Sequence, residues 1–289
     1  MVKDMTTGSP TRLILFFTLP LLVGNIFQQL YNMADTIIVG RTLGYKALAA
    51  VGGSSGSIMF LVFGFFFGLT CGLAVITAQR FGAHDEDGVR RSVAASLVMC
   101  AVITAAVTLL CVLGARPVLE LMRTPEDIID ETYNYLIVMF WGGWTIVFYG
   151  MLSSIIRALG DSRTPLYFLI ISSIVNVVLD FYFILSLKSG VAGAAWATVI
   201  AQGLSGVLCL VYMLRKFPIL RLRRHDWIFN AQFYWDHLRV ALPMAFQFSV
   251  TAVGVLVLQT ALNGFGSVAV AGYTAAARID QLAIPPLFS

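Results

Sequence analysis

Charge is what this chain has least of. Of its 289 residues only 12% are Asp, Glu, Lys or Arg, against roughly 25% in soluble domains. Apolar residues make up 58%, and the mean hydropathy is +0.85. A water-soluble fold is excluded, and an integral membrane protein follows. Histidine and cysteine are scarce as well. His84, His225 and His237 fall in polar stretches and are expected in loops. Neither a metal cluster nor a buried histidine for enzyme chemistry is therefore anticipated, and the chain is not expected to be an enzyme. Cys71, Cys100, Cys111 and Cys209 lie in or beside apolar runs without a CxxC pair and read as packing residues. The formal charge of +4 comes from short loops and not from a basic face, which leaves no surface for nucleic acid, and no cofactor motif is present.

Crossing a hydrocarbon core about 30 Å thick takes roughly 20 apolar residues per helix. Eight stretches qualify: Leu13–Val39, Leu48–Thr77, Ser92–Leu113, Tyr133–Ile156, Leu166–Leu187, Val191–Leu214, Leu238–Leu262 and Val268–Ser289. The expected fold class is an all-α polytopic membrane protein in the lipid bilayer. The first stretch is too long for a signal-peptide core and lacks a small-residue cleavage site, so it is expected to stay as a helix. With the N-terminus inside, the inner segments collect Lys3, Arg12, Arg80, Arg90, Arg91, Arg157, Arg163, Arg215, Lys216, Arg221, Arg223, Arg224 and Arg239. The outer ones hold only Arg41, Lys46, Arg116, Arg123 and Lys188. That asymmetry predicts a cytoplasmic N-terminus and multi-pass insertion in the cell's inner membrane.

The chain also resembles itself. Leu19-Pro20-Leu21 recurs as Leu242-Pro243-Met244, and Gly44 through Ala50 recurs as Gly266 through Gly272, offsets of 223 and 222. Six spans preserve orientation, so the halves are expected as parallel copies. Residues 1–214 form a six-helix N-terminal lobe, and 238–289 begin a second lobe. Residues 215–237 form a linker whose Arg221, Arg223 and Arg224 alternate with Trp227, Phe229, Phe233, Tyr234 and Trp235, a composition suited to the bilayer surface. The second copy stops after two spans, and a complete chain is expected at roughly two periods, about 440 residues.

Ionisable side chains inside a span cost about 2.5 to 3.5 kcal/mol each on insertion scales, and four are present: Asp35, Asp180, Arg278 and Asp280. Asn25, Gln28, Asn32 and Asp35 stack on one face of the first helix. Asn176 and Asp180 are i and i+4 in the fifth. Counted in from the helix ends, Asp35, Asp180 and Thr198 lie within about 5 Å of one depth. Two carboxylates meeting in low dielectric cannot both be freely charged, so a shared proton or a cation is expected between them. Carboxylate, amide, hydroxyl and carbonyl oxygens are the hard ligands of a Na⁺ ion or a proton relay. The plain alternative is that each aspartate merely bonds a helix end. Arg278 and Asp280, at i and i+2, point to different faces. Val257 or Leu258 stands where the repeat would place a second Asp35, which confines ion chemistry to the first six helices. Pro20 interrupts the first helix in mid-span, and a bend there would move Asp35; a static kink is the alternative.

Four segments carry a family resemblance: QQLYNMADTIIVGRTLG (Gln28 to Gly44), IIRALGDSRTP (Ile155 to Pro165), NVVLD (Asn176 to Asp180) and GVAGAAWATVIAQ (Gly190 to Gln202). Together, in this order, they resemble the multidrug and toxic compound extrusion (MATE) family up to its eighth helix. Two carboxylates, not one and an asparagine, look like the branch named for the DNA-damage-inducible transporters. Locally, Gly160 is expected to end the fourth helix, Thr164 to cap the next and Pro165 to take its first position.

The resemblance implies two six-helix lobes around a cavity, a monomer when complete, and export of amphipathic, often cationic organic compounds or drugs against inward H⁺ or Na⁺. It implies a cation or proton site at Asp35, Asn176, Asp180 and Thr198, with the Ala194 carbonyl as a further ligand and Tyr135 placed to bond to it. Asn25, Gln28, Tyr31 and Asn32 would line the substrate cavity or support the site, with Pro20 conformational. A lipid-linked saccharide flippase of the same superfamily and a membrane receptor are the competing readings.

Overall fold

The computed structural model describes residues 10–220, 226–227 and 230–280, without the side chains of residues 10, 12–14 and 278–280. Among the described residues there is no strand. The helices are α1 (Pro10–Leu43), α2 (Tyr45–Gly52), α3 (Ser54–Gly82), α4 (Glu86–Leu121), α5 (Ile129–Ala158), α6 (Arg163–Phe181), α7 (Gly190–Lys216), α8 (Ala231–Asn263) and α9 (Ser267–Asp280). A π turn, Tyr182–Ser186, extends α6, and a 3₁₀ turn, Pro218–Leu220, follows α7.

Six stretches among the described residues are long and apolar enough to cross a bilayer: Tyr45–Gly82, Glu86–Leu121, Ile129–Ala158, Arg163–Ser186, Gly190–Lys216 and Ala231–Asn263. Helix α1, at 34 residues, is about 50 Å long, enough to span on length. Large apolar side chains point outward along the bundle, with Leu110 and Leu113 each 70% exposed on α4 and Val250 73% exposed on α8. Such a surface is stable facing acyl chains and not facing water.

The repeat is visible in the backbone. Helices α1 and α8 run 34 and 33 residues with Pro20 and Pro243 inside. Gly44 and Gly266 follow them at φ 89° and 86°, a conformation glycine adopts without strain. The second expected span, Leu48–Thr77, is two helices. It breaks at Gly52 and Gly53 because α9 approaches there, with Val270 Cγ1 only 2.5 Å from where a Gly53 Cβ would sit and Thr274 closing over Gly52. Further along, α3 and α8 lie backbone to backbone. A Cβ on Gly68 would fall 2.7 Å from Ala245 Cα, and one on Gly72 would fall 2.5 Å from Ala241 Cα. The spacing Gly64, Gly68, Gly72 puts one flat strip on α3, the small-residue packing that lets membrane helices approach closely.

Five expectations need correcting. Helix α8 starts at Ala231 because Asn230 Oδ1 accepts the Gln232 N–H at 2.9 Å, so the last third of the expected linker is helix. His237 is accordingly not in a loop but 1% exposed, its Nε2 2.9 Å from Ser92 Oγ and its Nδ1 2.8 Å from the Phe233 carbonyl; Ser92 Oγ in turn lies 3.0 Å from Thr77 Oγ1. The start of the linker is tucked into the core, with Phe217 and Leu220 packed among Val89, Leu152, Ile156 and Met213, and Asp226 is buried against Arg90 Nε at 3.7 Å. Finally, Asp161 and not Thr164 caps α6: its Oδ1 accepts the Arg163 and Thr164 N–H groups at 3.1 Å each, and its Oδ2 accepts the Thr164 and Tyr212 hydroxyls at 2.7 Å each. Gly160 does end α5, at φ 88°, while Pro165 is the third residue of α6 and not its first. Arg221, Arg223, Arg224, Phe229 and Ser289, and the side chains of Arg278 and Asp280, lie outside the described residues.

Candidate functional site

Two helices bring the acidic pair together. Asp35 on α1 and Asp180 on α6 face one another closely enough for their carboxyls to interact. One turn before Asp180, Asn176 shares its face, and both are 0% exposed. With its amide turned so that Nδ2 meets the carboxylate, Asn176 donates to Asp180 Oδ2 at 3.0 Å and accepts the Thr198 N–H at 3.2 Å. The Thr198 hydroxyl donates to the Ala194 carbonyl at 3.1 Å, and the Tyr31 hydroxyl reaches Thr198 Oγ1 at 3.5 Å. Tyr135 is buried in the apolar cluster that also holds Ile38, Val191 and Ala194. Directly after Asp180 the helix widens into the π turn Tyr182–Ser186, a feature frequent beside functional residues. In such surroundings two full negative charges side by side are disfavoured.

The remaining polar residues of α1 divide. Asn32 is engaged along its own helix, donating to Gln29 Oε1 at 3.4 Å while its carbonyl accepts from Thr36 at 2.8 Å. Pro20, Asn25 and Gln28 line a separate cavity of about 310 Å³ together with Phe66, Thr70, Gln202 and Arg157. Beside it lies a cavity of about 600 Å³, lined by Phe17, Leu21, Cys71, Phe81, Ser154 and Arg157 among others. Both lie toward the basic end of the bundle, the end with Arg157 and the α5–α6 turn, and neither is lined by Asp35 or Asp180.

At the opposite, acidic end the two lobes are joined. Asn263 Nδ2, at the end of α8, donates to Ser54 Oγ at 2.9 Å and to the Met122 carbonyl at 2.7 Å, while its Oδ1 accepts from Gln259 at 2.8 Å. Thr124 adds a bond to Ser54 at 3.0 Å. Asp127 bridges Lys46 at 3.4 Å and the Ser267 hydroxyl at 2.9 Å.

The buried Ser92 and His237 revive a question that the sequence had closed, since a serine beside a histidine is a nucleophile and a base. Here Nδ1 faces a backbone carbonyl in place of a carboxylate, Ser92 is 0% exposed, and neither cavity is lined by the pair. It joins α4 to α8. The glycine strip on α3 was legible in its spacing of four, and Arg157 had no signal beyond its place in the α5–α6 turn.

Parallel repeats of apolar helices, with a carboxyl pair inside the first copy, define a polytopic helical membrane protein built on a duplicated plan. The chain belongs to the MATE family: the family model, MatE, matches residues 20–182. It is 30% identical over 285 residues to the probable multidrug resistance protein YpnP of Bacillus subtilis, covering 98% of this chain and 63% of the relative. It is 28% identical over 219 residues to the DNA damage-inducible protein F of Escherichia coli, covering 71% of this chain and 44% of that one. Among solved structures, one described as the inward-facing conformation of a multidrug resistance MATE family transporter of the MOP superfamily matches with a TM-score of 0.83 at 28% identity, over 90% of this chain and 59% of the other. The chain thus spans about three fifths of the length of YpnP and of this structure.

Proposed function

We propose that this chain supplies the ion-coupling lobe of a secondary multidrug exporter, in the inner membrane with its N-terminus in the cytoplasm, exchanging a small cation for amphipathic organic compounds. The observation that carries the reading is the approach of Asp35 to Asp180, from helices far apart in sequence, beside the linked polar groups of Asn176, Thr198 and Ala194. A receptor has no use for such a pair. The names of the relatives, multidrug resistance proteins, supply the substrate class.

Of the two coupling ions, the arrangement favours H⁺. The Asn176 oxygen already accepts the Thr198 N–H and the Ala194 carbonyl the Thr198 hydroxyl, so Na⁺ would have only the second lone pair of each to draw on. A proton held between the two carboxyls requires neither. Its arrival or departure changes the charge that α1 and α6 share, and hence which packing of these helices is preferred. The basic end is then cytoplasmic, and the cavities there face the side from which drug is taken up.

The test is dye efflux from cells expressing the complete gene, driven by a pH gradient. Asp35→Asn combined with Asp180→Asn abolishes it on this reading, and undiminished efflux rejects it. Melting of the purified protein at fixed pH with and without Na⁺ decides the ion: no Na⁺ dependence is expected in the parent chain, and one lost in Asp180→Asn would reassign the site. The flippase reading needs a strongly cationic cavity, and among the described residues only Arg157 and the titratable His84 bring positive charge to these two.

A further inference from the structure

We infer that the two cavities at the basic end receive an amphipathic solute carrying a negative group, a carboxylate, sulfonate or phosphate, and that Arg157 binds that group. The inference rests on reading these cavities as the substrate's path, and it names the charge of what travels there.

Arg157 lines both cavities, so a solute passing from the larger to the smaller meets the same guanidinium throughout. No Asp or Glu lines either one, and Arg157 takes part in no ion pair among the described residues. Its Nη2 donates to Ser154 Oγ at 3.1 Å, which engages one of its five donors and anchors the group on the wall that Ser154 shares. His84 is the other basic group lining the larger cavity, and when protonated it adds to the positive side; Phe17, Leu21, Val75 and Phe81 offer a surface for a hydrophobic body. A volume of about 600 Å³ falls in the range of sites that hold drug-sized molecules. Among the described residues an organic cation would find a like charge and no counter-ion there. An acid finds a planar fork in a partly desolvated setting, where charge-assisted hydrogen bonds are strongest. Arg157 also stands in the last turn of α5, where a cation complements the helix dipole. A purely structural arginine of that kind would not discriminate between ligand charges.

The experiment uses the purified 289-residue chain in phosphatidylcholine nanodiscs and two fluorescent probes on one naphthalene skeleton, a sulfonate and a trimethylammonium. The sulfonate should bind about tenfold more tightly or better, the value of one charge-assisted contact. Arg157→Gln should erase that preference, and Arg157→Lys should keep most of it. Ala74→Trp, which fills the larger cavity, should weaken both probes. Equal or tighter binding of the cation by the parent chain overturns the inference without reference to any variant, and so does a preference that survives in Arg157→Gln. Nanodiscs containing phosphatidylglycerol separate the sources of the anion. Competition with the sulfonate assigns the site to a lipid headgroup, and its absence assigns it to a free solute. Asp35 and Asp180 are intact throughout. Loss of probe discrimination therefore defeats this inference alone, and loss of proton-driven efflux dependence on the aspartates defeats the proposed exchange alone.

Discussion

Replacing Gly68 by alanine tests whether the lobes touch through bare backbone. The new methyl carbon would lie 2.7 Å from Ala245 Cα, where about 3.4 Å or more is the ordinary approach, and the Met244 carbonyl stands closer still. Neither obstacle is a flexible side-chain end, so α3 and α8 must part by roughly 1 Å, a gap that forfeits a quarter to a half of each dispersion contact along the seam. Overpacking of this kind costs about 1–3 kcal/mol, while glycine to alanine within a helix returns about 1 kcal/mol. The second contribution cancels against a control. Gly64 lies on the same strip, but its added carbon would be 3.5 Å from Phe248 Cβ, an ordinary contact, and Gly254 has nothing within 4 Å. Gly68→Ala should therefore be about 1–3 kcal/mol less stable than Gly64→Ala, with Gly64→Ala and Gly254→Ala at or above the parent chain. Reversible unfolding in mixed micelles, followed by tryptophan fluorescence, measures the difference. Equal midpoints for Gly68→Ala and Gly64→Ala would refute the close approach.

Asn263→Leu removes the amide that ties α8 to Ser54 and the Met122 carbonyl, leaving buried partners unmet at a cost of about 1–3 kcal/mol. Hydrogen exchange should rise first at the start of α9, and unchanged protection there would show the acidic end to be held by other contacts. Asp161→Ala should cost about 1–2 kcal/mol through loss of the α6 cap, measured by thermal melting. Burial pushes the Asp161 carboxyl up, but bonds from Tyr212, Thr164 and Arg163 outweigh it and hold the group below its ordinary value of 3.8. Its folded value being the lower one, its contribution is full above the ordinary value and is lost as the pH falls through the folded value. The parent and Asp161→Ala should therefore converge in stability only below about pH 4, and a constant difference down to pH 2 would show that the titrating charge is not involved.

How far the sequence carried can be read from particular residues. Asp35 and Asp180 were placed at one depth by counting turns, because helix rise is fixed and a polar residue in lipid must face protein. Counting says nothing about azimuth, which is why it could not separate Asn32, engaged along α1, from Asp35, engaged across to α6. The boundary of α8 was misjudged by seven residues because a cap at Asn230 outweighed the polar composition of the segment it starts, and His237 went with it. The break at Gly52 and Gly53 and the π turn after Asp180 arise from what packs against them, and no window of apolarity reports that. Arg157 sits in a turn whose residues also form an ordinary connector; only the walls around it reveal an enclosed charge.

Gly52 meets Thr274, and 274 is 52 advanced by one period of 222. A position that touches its own image lies on the axis relating the copies. Threonine at both sites would collide, and glycine at both would leave a hollow. Because the two copies share one polypeptide, the sites can differ, with Gly52 bare and Thr274 filling the space. A symmetric pair of identical chains has no such choice.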